Sequence, residues 1–172
     1  MKAHLIRKNG TIWLAVILFF KAGAISAADV TITVNGLVRA QPCTITMPYA
    51  DVKLGVMTVS SMSTPNATSE WQEINLNLTQ CPVGTSQVTA TFSGTSDGTG
   101  NYFLNAGDAG NIAVQLADSN GNNLKNGAVL IRTVDDTSRS TQFALQARAI
   151  SPSGGATRGT ISSIINVTYT WQ

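Results

Sequence analysis

The chain has 172 residues with eleven basic and nine acidic side chains and a single histidine, and only 12% of it is charged. A length in this range holds one ordinary domain plus a short appendage, and a net charge this weak gives no support for a nucleic-acid or anionic-membrane partner. With 43% hydrophobic residues and many Val, Ile, Thr, Ser, Asn and Gly, the composition favours an all-β domain over a helical one.

The N-terminus reads as a targeting segment. Lys2, Arg7 and Lys8 precede an apolar run over residues 12–20, and the small residues Ala24, Ser26, Ala27 and Ala28 follow. This order is that of a secretory signal peptide, and nine apolar residues are too few to span a bilayer, which takes roughly 20. Cleavage is expected after Ala27, giving a signal at 1–27, an extension at 28–40 and a domain at 41–172. Four of the basic residues leave with the signal, so seven basic against nine acidic residues give the mature chain a formal charge of −2. His4 leaves too, which removes His-based acid–base chemistry, Ser-His-Asp triads and His metal ligands. No cofactor is expected.

In chain order, residues 29–38 alternate, with Val30, Ile32, Val34, Gly36 and Val38 on one face. Strands are then expected at 44–47 and at 51–59, the second with Val52, Leu54 and Val56 inward and Gly55 as a bulge. A Ser/Thr/Pro/Asn loop at 60–69 leads to a strand at 71–79 with Ile74, Leu76 and Leu78 inward. Trp71 could be a sugar-stacking platform, but core packing is the preferred reading for it and for Trp171.

Val88, Ala90 and Phe92 mark another strand, residues 93–101 a loop, and residues 102–110 an irregular stretch. Ile112, Val114 and Leu116 form a strand closed by a turn at 118–121, and less regular extended pieces are expected at 124–134. The adjacent Asp135 and Asp136 read as a turn rather than a catalytic pair. Phe143, Leu145, Ala147 and Ala149 alternate, and after a Pro/Gly loop at 151–155 the last strand is expected over 159–172. There Ile161, Ile165, Val167, Tyr169 and Trp171 share one face.

Cys43 and Cys81 are the only cysteines. In an exported chain such a pair is expected to form one disulfide, and their spacing matches no compact metal-ligand motif. Cys81 is out of phase with Leu76 and Leu78, so the strand must bulge or turn to reach Cys43. Short alternating strands between turn clusters indicate an immunoglobulin-like β-sandwich. Its last strand has no successor to pair with, and an amphipathic edge of that kind requires a partner.

Three stretches carry a resemblance: ADVTITVNG at 28–36, CPVGTS at 81–86 and GGATRGT at 154–160. With them the mature chain resembles the pilin subunits of the chaperone–usher pathway of Gram-negative bacteria, most nearly the G-type minor subunit of the type 1 pilus tip fibrillum. The resemblance implies an incomplete immunoglobulin-like sandwich lacking its seventh strand, filled first by a periplasmic chaperone and then by the next subunit's N-terminal extension; this donor-strand complementation is a named instance of β-augmentation. Val30, Ile32, Val34, Gly36 and Val38 would then be the donor face. Gly159, fourteenth from the C-terminus, with Ile165, Val167, Tyr169, Trp171 and Gln172, would form the groove edge that the chaperone reads. The family usually carries Tyr where Trp171 stands. The implied partners are the chaperone, an outer-membrane usher and adjacent subunits, among them a tip adhesin and another minor subunit. The implied role is a non-catalytic adaptor in the fimbria, with a rod pilin or a carbohydrate-binding adhesin as alternatives.

Overall fold

The computed structural model describes residues 35–37 and 41–172, and the fold is that of the second stretch, which belongs to the unit Val38–Gln172. Two antiparallel sheets face each other. Sheet A runs β1 (Thr44–Ile45), β3 (Gln72–Thr79), β8 (Thr141–Ser151), β6 (Ala113–Asp118), β5 (Phe103–Leu104), with β2 (Ala67–Thr68) also on β8; sheet B runs β7 (Val129–Thr133), β4 (Gln87–Gly94), β9 (Ile165–Trp171).

Alternation places the core. Leu76 and Leu78 of β3, Val88, Ala90 and Phe92 of β4, and Phe143, Leu145 and Ala147 of β8 meet in one buried cluster between the sheets. β6 lies within sheet A and is buried on both faces, so Gln115 and Asp118 are buried beside Val114 and Leu116.

Several expectations need correction. No strand forms over 51–59. Gly55 takes φ +79°, which only glycine adopts freely, and reverses the alternation there. Val52, Leu54 and Met57 therefore pack against the core clusters, whereas Val56 is fully exposed at 102%. The loop at 60–69 holds a 3-10 turn, Ser60–Met62, that buries Met62 to 2% exposure, and the short β2. Only one strand, β7, forms within 124–134, and Phe103 in the irregular stretch is fully buried in β5. Trp71 does not join the core: it precedes β3 in the outward phase, and the Arg148 guanidinium lies 4.1 Å from its ring centroid.

The disulfide joins Cys43 to Cys81. The phase change that it requires falls on Gln80, at φ +52°, after which the Cys81 N–H donates to the Arg139 carbonyl at 3.0 Å and its side chain is fully buried.

The turn after β6 forms as expected, with Gly121 at φ +85° and its N–H donating to the Asp118 carbonyl at 3.0 Å. Burial raises the Asp118 carboxyl's pKa. The Asn122 side-chain amide, the Asn122 and Asn120 backbone N–H groups and the Arg132 charge more than offset this and hold it below the usual value. A depressed native pKa contributes stability above the unfolded value, about 3.9, that is lost as pH falls through the native one. Asp118→Asn should cost about 1–2 kcal/mol at neutral pH and flatten the loss of stability below about pH 4. Denaturant titrations at pH 7 and pH 3 check this, and an equal loss at both would contradict it.

Candidate functional site: an open strand edge above an apolar groove

β9 is the outer strand of sheet B. It pairs with β4 from Ile165 opposite Gly94 to Trp171 opposite Val88 and has no partner on its other side among the described residues. Gln172 and Gln87 exchange hydrogen bonds, N–H to carbonyl, at 3.0 and 3.2 Å. In an antiparallel ladder such exchanging pairs alternate with non-exchanging ones. Asn166, Thr168, Thr170 and Gln172 therefore direct their backbone groups at β4. Ile165, Val167, Tyr169 and Trp171 direct theirs at the open edge.

The same four residues are half-buried while those between them are exposed, so the open edge and the inward apolar face belong to one set. Tyr169 packs on Phe143 with ring centroids 5.7 Å apart, and burial raises its phenol's pKa. Trp171 packs against the core cluster, as expected for it. The Gln172 carbonyl accepts from the Ser86 N–H at 2.7 Å and from its hydroxyl at 3.2 Å, which fixes the end of the strand.

Beside β9 lies a groove of about 950 Å³ between the sheets. Leu54 and Met57 line one side, Ile161, Ile165 and Val167 the other, and Leu76, Phe92, Leu116 and Leu145 the floor. The segment 50–57 receives no backbone hydrogen bond among the described residues. An extended peptide of alternating apolar side chains would meet both requirements at once: backbone partners for β9 and a filling for the groove.

The last strand starts later than its alternation suggests. Residues 159–164 are not strand; the loop at 105–110 clasps them instead. The Ala106 and Ala109 N–H groups donate to the Ser162 and Thr160 carbonyls at 2.7 and 3.1 Å. The Asn105 amide oxygen accepts from the Ser162 N–H at 2.8 Å, and its amide nitrogen donates to the Ala109 carbonyl at 2.8 Å. Sequence reasoning missed Asn105, because its four hydrogen bonds join segments more than fifty residues apart as well as its own turn.

Gly159 sits where this clasp is tightest: a Cβ there would collide with the backbone of Asp108 and Ala109. Backbone cannot yield as a flexible side chain can. Gly159→Val should therefore cost about 3 kcal/mol, a shift of about 1.5 M in the urea midpoint. An unchanged midpoint would show that the 105–110 loop gives way.

Of the expected donor face, Val30, Ile32, Val34 and Val38 lie outside the described residues, and Gly36 is described as exposed in the separate unit Met1–Leu37. The segment 1–27 also lies outside them. Among the described residues no cluster of His, Cys, Asp and Glu could hold a metal, and no helix is long and apolar enough to cross a membrane.

An incomplete immunoglobulin-like sandwich with an open edge above an apolar groove is the architecture of a pilin subunit, and solved structures share it. The P pilus rod subunit PapA superposes with a TM-score of 0.64 at 17% identity, covering 77% of this chain and all of its own. A chaperone–usher pilus structure that describes rod uncoiling also gives 0.64, at 18% identity, covering 88% of this chain and all of its own. Residues 28–172 match the family described as "Fimbrial protein", and the chain belongs to it. The family's subunits are exported and built into fimbriae at the cell surface, and this chain is such a structural subunit. It is 51% identical to Protein FimG of Escherichia coli (strain K12) over 92% of this chain and 95% of that protein. It is 39% identical to the S-fimbrial adhesin protein SfaS of Escherichia coli O6:K15:H31 over 84% and 86%.

Proposed function

We propose that this subunit is a non-catalytic adaptor of the fimbrial tip, polymerised by strand exchange. Its groove receives the N-terminal strand of one neighbour. Its own residues 29–38, with Val30, Ile32, Val34, Gly36 and Val38 on one face, fill the groove of another once the signal has been cut after Ala27. A periplasmic chaperone occupies the β9 edge before assembly and an outer-membrane usher mediates the exchange, with a tip adhesin and another minor subunit as neighbours.

The observation that carries this reading is the coincidence on β9 of four outward-facing backbone pairs with four half-buried apolar side chains, of which Ile165 and Val167 line the groove. Overall similarity to FimG supports the minor-subunit role over that of a rod pilin. The test is peptide exchange on the chain lacking residues 28–40. Strands from sibling subunits should insert and raise its melting temperature, while its own 29–38 strand inserts slowly. Equally fast insertion of its own strand would mark a rod pilin, and no insertion of any strand would sink the reading.

The similarity to SfaS raises a second reading, a carbohydrate-binding adhesin. Trp71 is a poor open platform for a sugar, because Arg148 already covers its ring. Glycan-array binding that is lost in Trp71→Ala would favour that reading all the same.

A further inference from the structure

Sheet B has a second outer strand. Among the described residues β7 pairs with β4 only, and the Val134 N–H to Ser86 carbonyl bond at 3.0 Å, with the Phe92 N–H to Ala128 carbonyl bond at 2.9 Å, sets its register. By the same alternation as for β9, the even residues of β7 face β4, and Val129, Ile131 and Thr133 present their backbone groups outward. The side chains of Val129 and Ile131 are also exposed, at 53% and 52%. An edge of exposed β-branched residues is a template for another chain's strand.

Two side chains alter that edge. Arg132 donates from its guanidinium to the Ile131 carbonyl at 3.1 Å, and the Thr141 hydroxyl, reaching across from β8, donates to the Thr133 carbonyl at 2.9 Å. Two of the three outward carbonyls are thus already occupied. Beside the edge lies a depression of about 890 Å³ whose lining mixes Leu78 and Val134 with Asn77, Arg132, Asp135 and Gln142. Apolar side chains entering there would be set against two charged groups, Arg132 and Asp135, beside Leu78 and Val134, and desolvating those charges is costly.

We propose that Arg132 and Thr141 close the β7 edge to strand addition, so that sheet B receives another chain along β9 alone. The two edges have the same ladder geometry and differ in what stands over them. Directional growth of a fibre needs this difference, because a strand accepted at both edges would branch the polymer. The inference rests on the strand-addition reading of β9, and the test separates the two.

The mature chain is given a C-terminal donor strand, so that β9 is already paired, and is then changed at Arg132→Ala with Thr141→Val. The unsubstituted fusion should remain monomeric in light scattering. The variant should self-associate at about tenfold to a hundredfold lower concentration, the scale of losing two hydrogen-bond caps. Amide exchange at Val129, Ile131 and Thr133 should slow as it does so. Thr141→Ser, which keeps the hydroxyl, should stay monomeric. If the double variant fails to fold, Arg132→Gln and Thr141→Val alone should each show the effect in part. Variants that remain monomeric with unchanged exchange would overturn the proposal, as would a Thr141→Ser chain that associates as readily as Thr141→Val. A fusion no more stable than the unfused chain would count instead against the role given to β9.

Discussion

A chain lacking residues 28–40 will melt about 20 °C higher once a linker and an alternating apolar strand that can lie beside β9 are fused after Gln172. Leu54, Ile74, Ile161, Ile165, Val167, Tyr169 and Trp171 all pack against the core while still partly exposed. An inserted strand would cover them and bring about four apolar side chains of its own, each worth about 1.5–3 kcal/mol when fully buried. Ordering the strand offsets part of that gain, at about 1–2 kcal/mol per residue for the backbone. New ladder hydrogen bonds to Ile165, Val167, Tyr169 and Trp171 return some of it. A net gain on the order of 5 kcal/mol corresponds to the stated rise at about 4 °C per kcal/mol for a domain of this size. The same strand with its apolar pattern moved by one residue should lose most of the effect, because it would present polar side chains to the groove. Equal melting of fused and unfused chains in calorimetry would end the strand-addition account.

Replacing Cys43 and Cys81 together by Ala will cost about 4 kcal/mol, from the entropy the released loop regains in the unfolded chain. The two cysteines are 38 positions apart, and both are buried in the main core cluster. The link holds the start of the domain beside the end of β3, so the segment 50–57 leaves from a fixed point before it passes the groove. Reduction should therefore loosen the groove wall as well as lower stability. Denaturant unfolding measures the first effect, and amide exchange at Val52, Leu54 and Met57 the second. A stability loss with unchanged exchange there would show that the segment is held by its own packing.

The clasp at Asn105 and the closed edge at Arg132 bracket β9 in different ways. One keeps residues 160–162 in line with the strand, and the other leaves the sheet a single place to grow. Both use side-chain hydrogen bonds to the backbone: Asn105 reaches residues 160–162, while Arg132 donates to the carbonyl of its own neighbour Ile131 and Thr141 of β8 donates to Thr133. Neither position stands out by residue type, since Asn in a turn and Arg on a strand have ordinary local explanations.

Alternation was enough to identify β3, β4, β6, β8 and β9 and their inward faces, because a period of two with one buried face leaves few other arrangements. It also placed Ile165, Val167, Tyr169 and Trp171 on one side of the last strand, and the even cysteine count identified the Cys43–Cys81 bond. Where a single backbone angle changes the phase, the pattern misled. Gly55 put Met57 in the place expected for Val56. Trp71 is a different case: its odd position already stood out of phase with Ile74, Leu76 and Leu78, and it meets Arg148 rather than the core. The sequence by itself determined that a half-buried strand needs a partner. Only the tertiary structure decided which edge stands open, because that depends on which strands pair, β4 with both β7 and β9, and on which side chains fold back onto the outward carbonyls, as Arg132 and Thr141 do on β7.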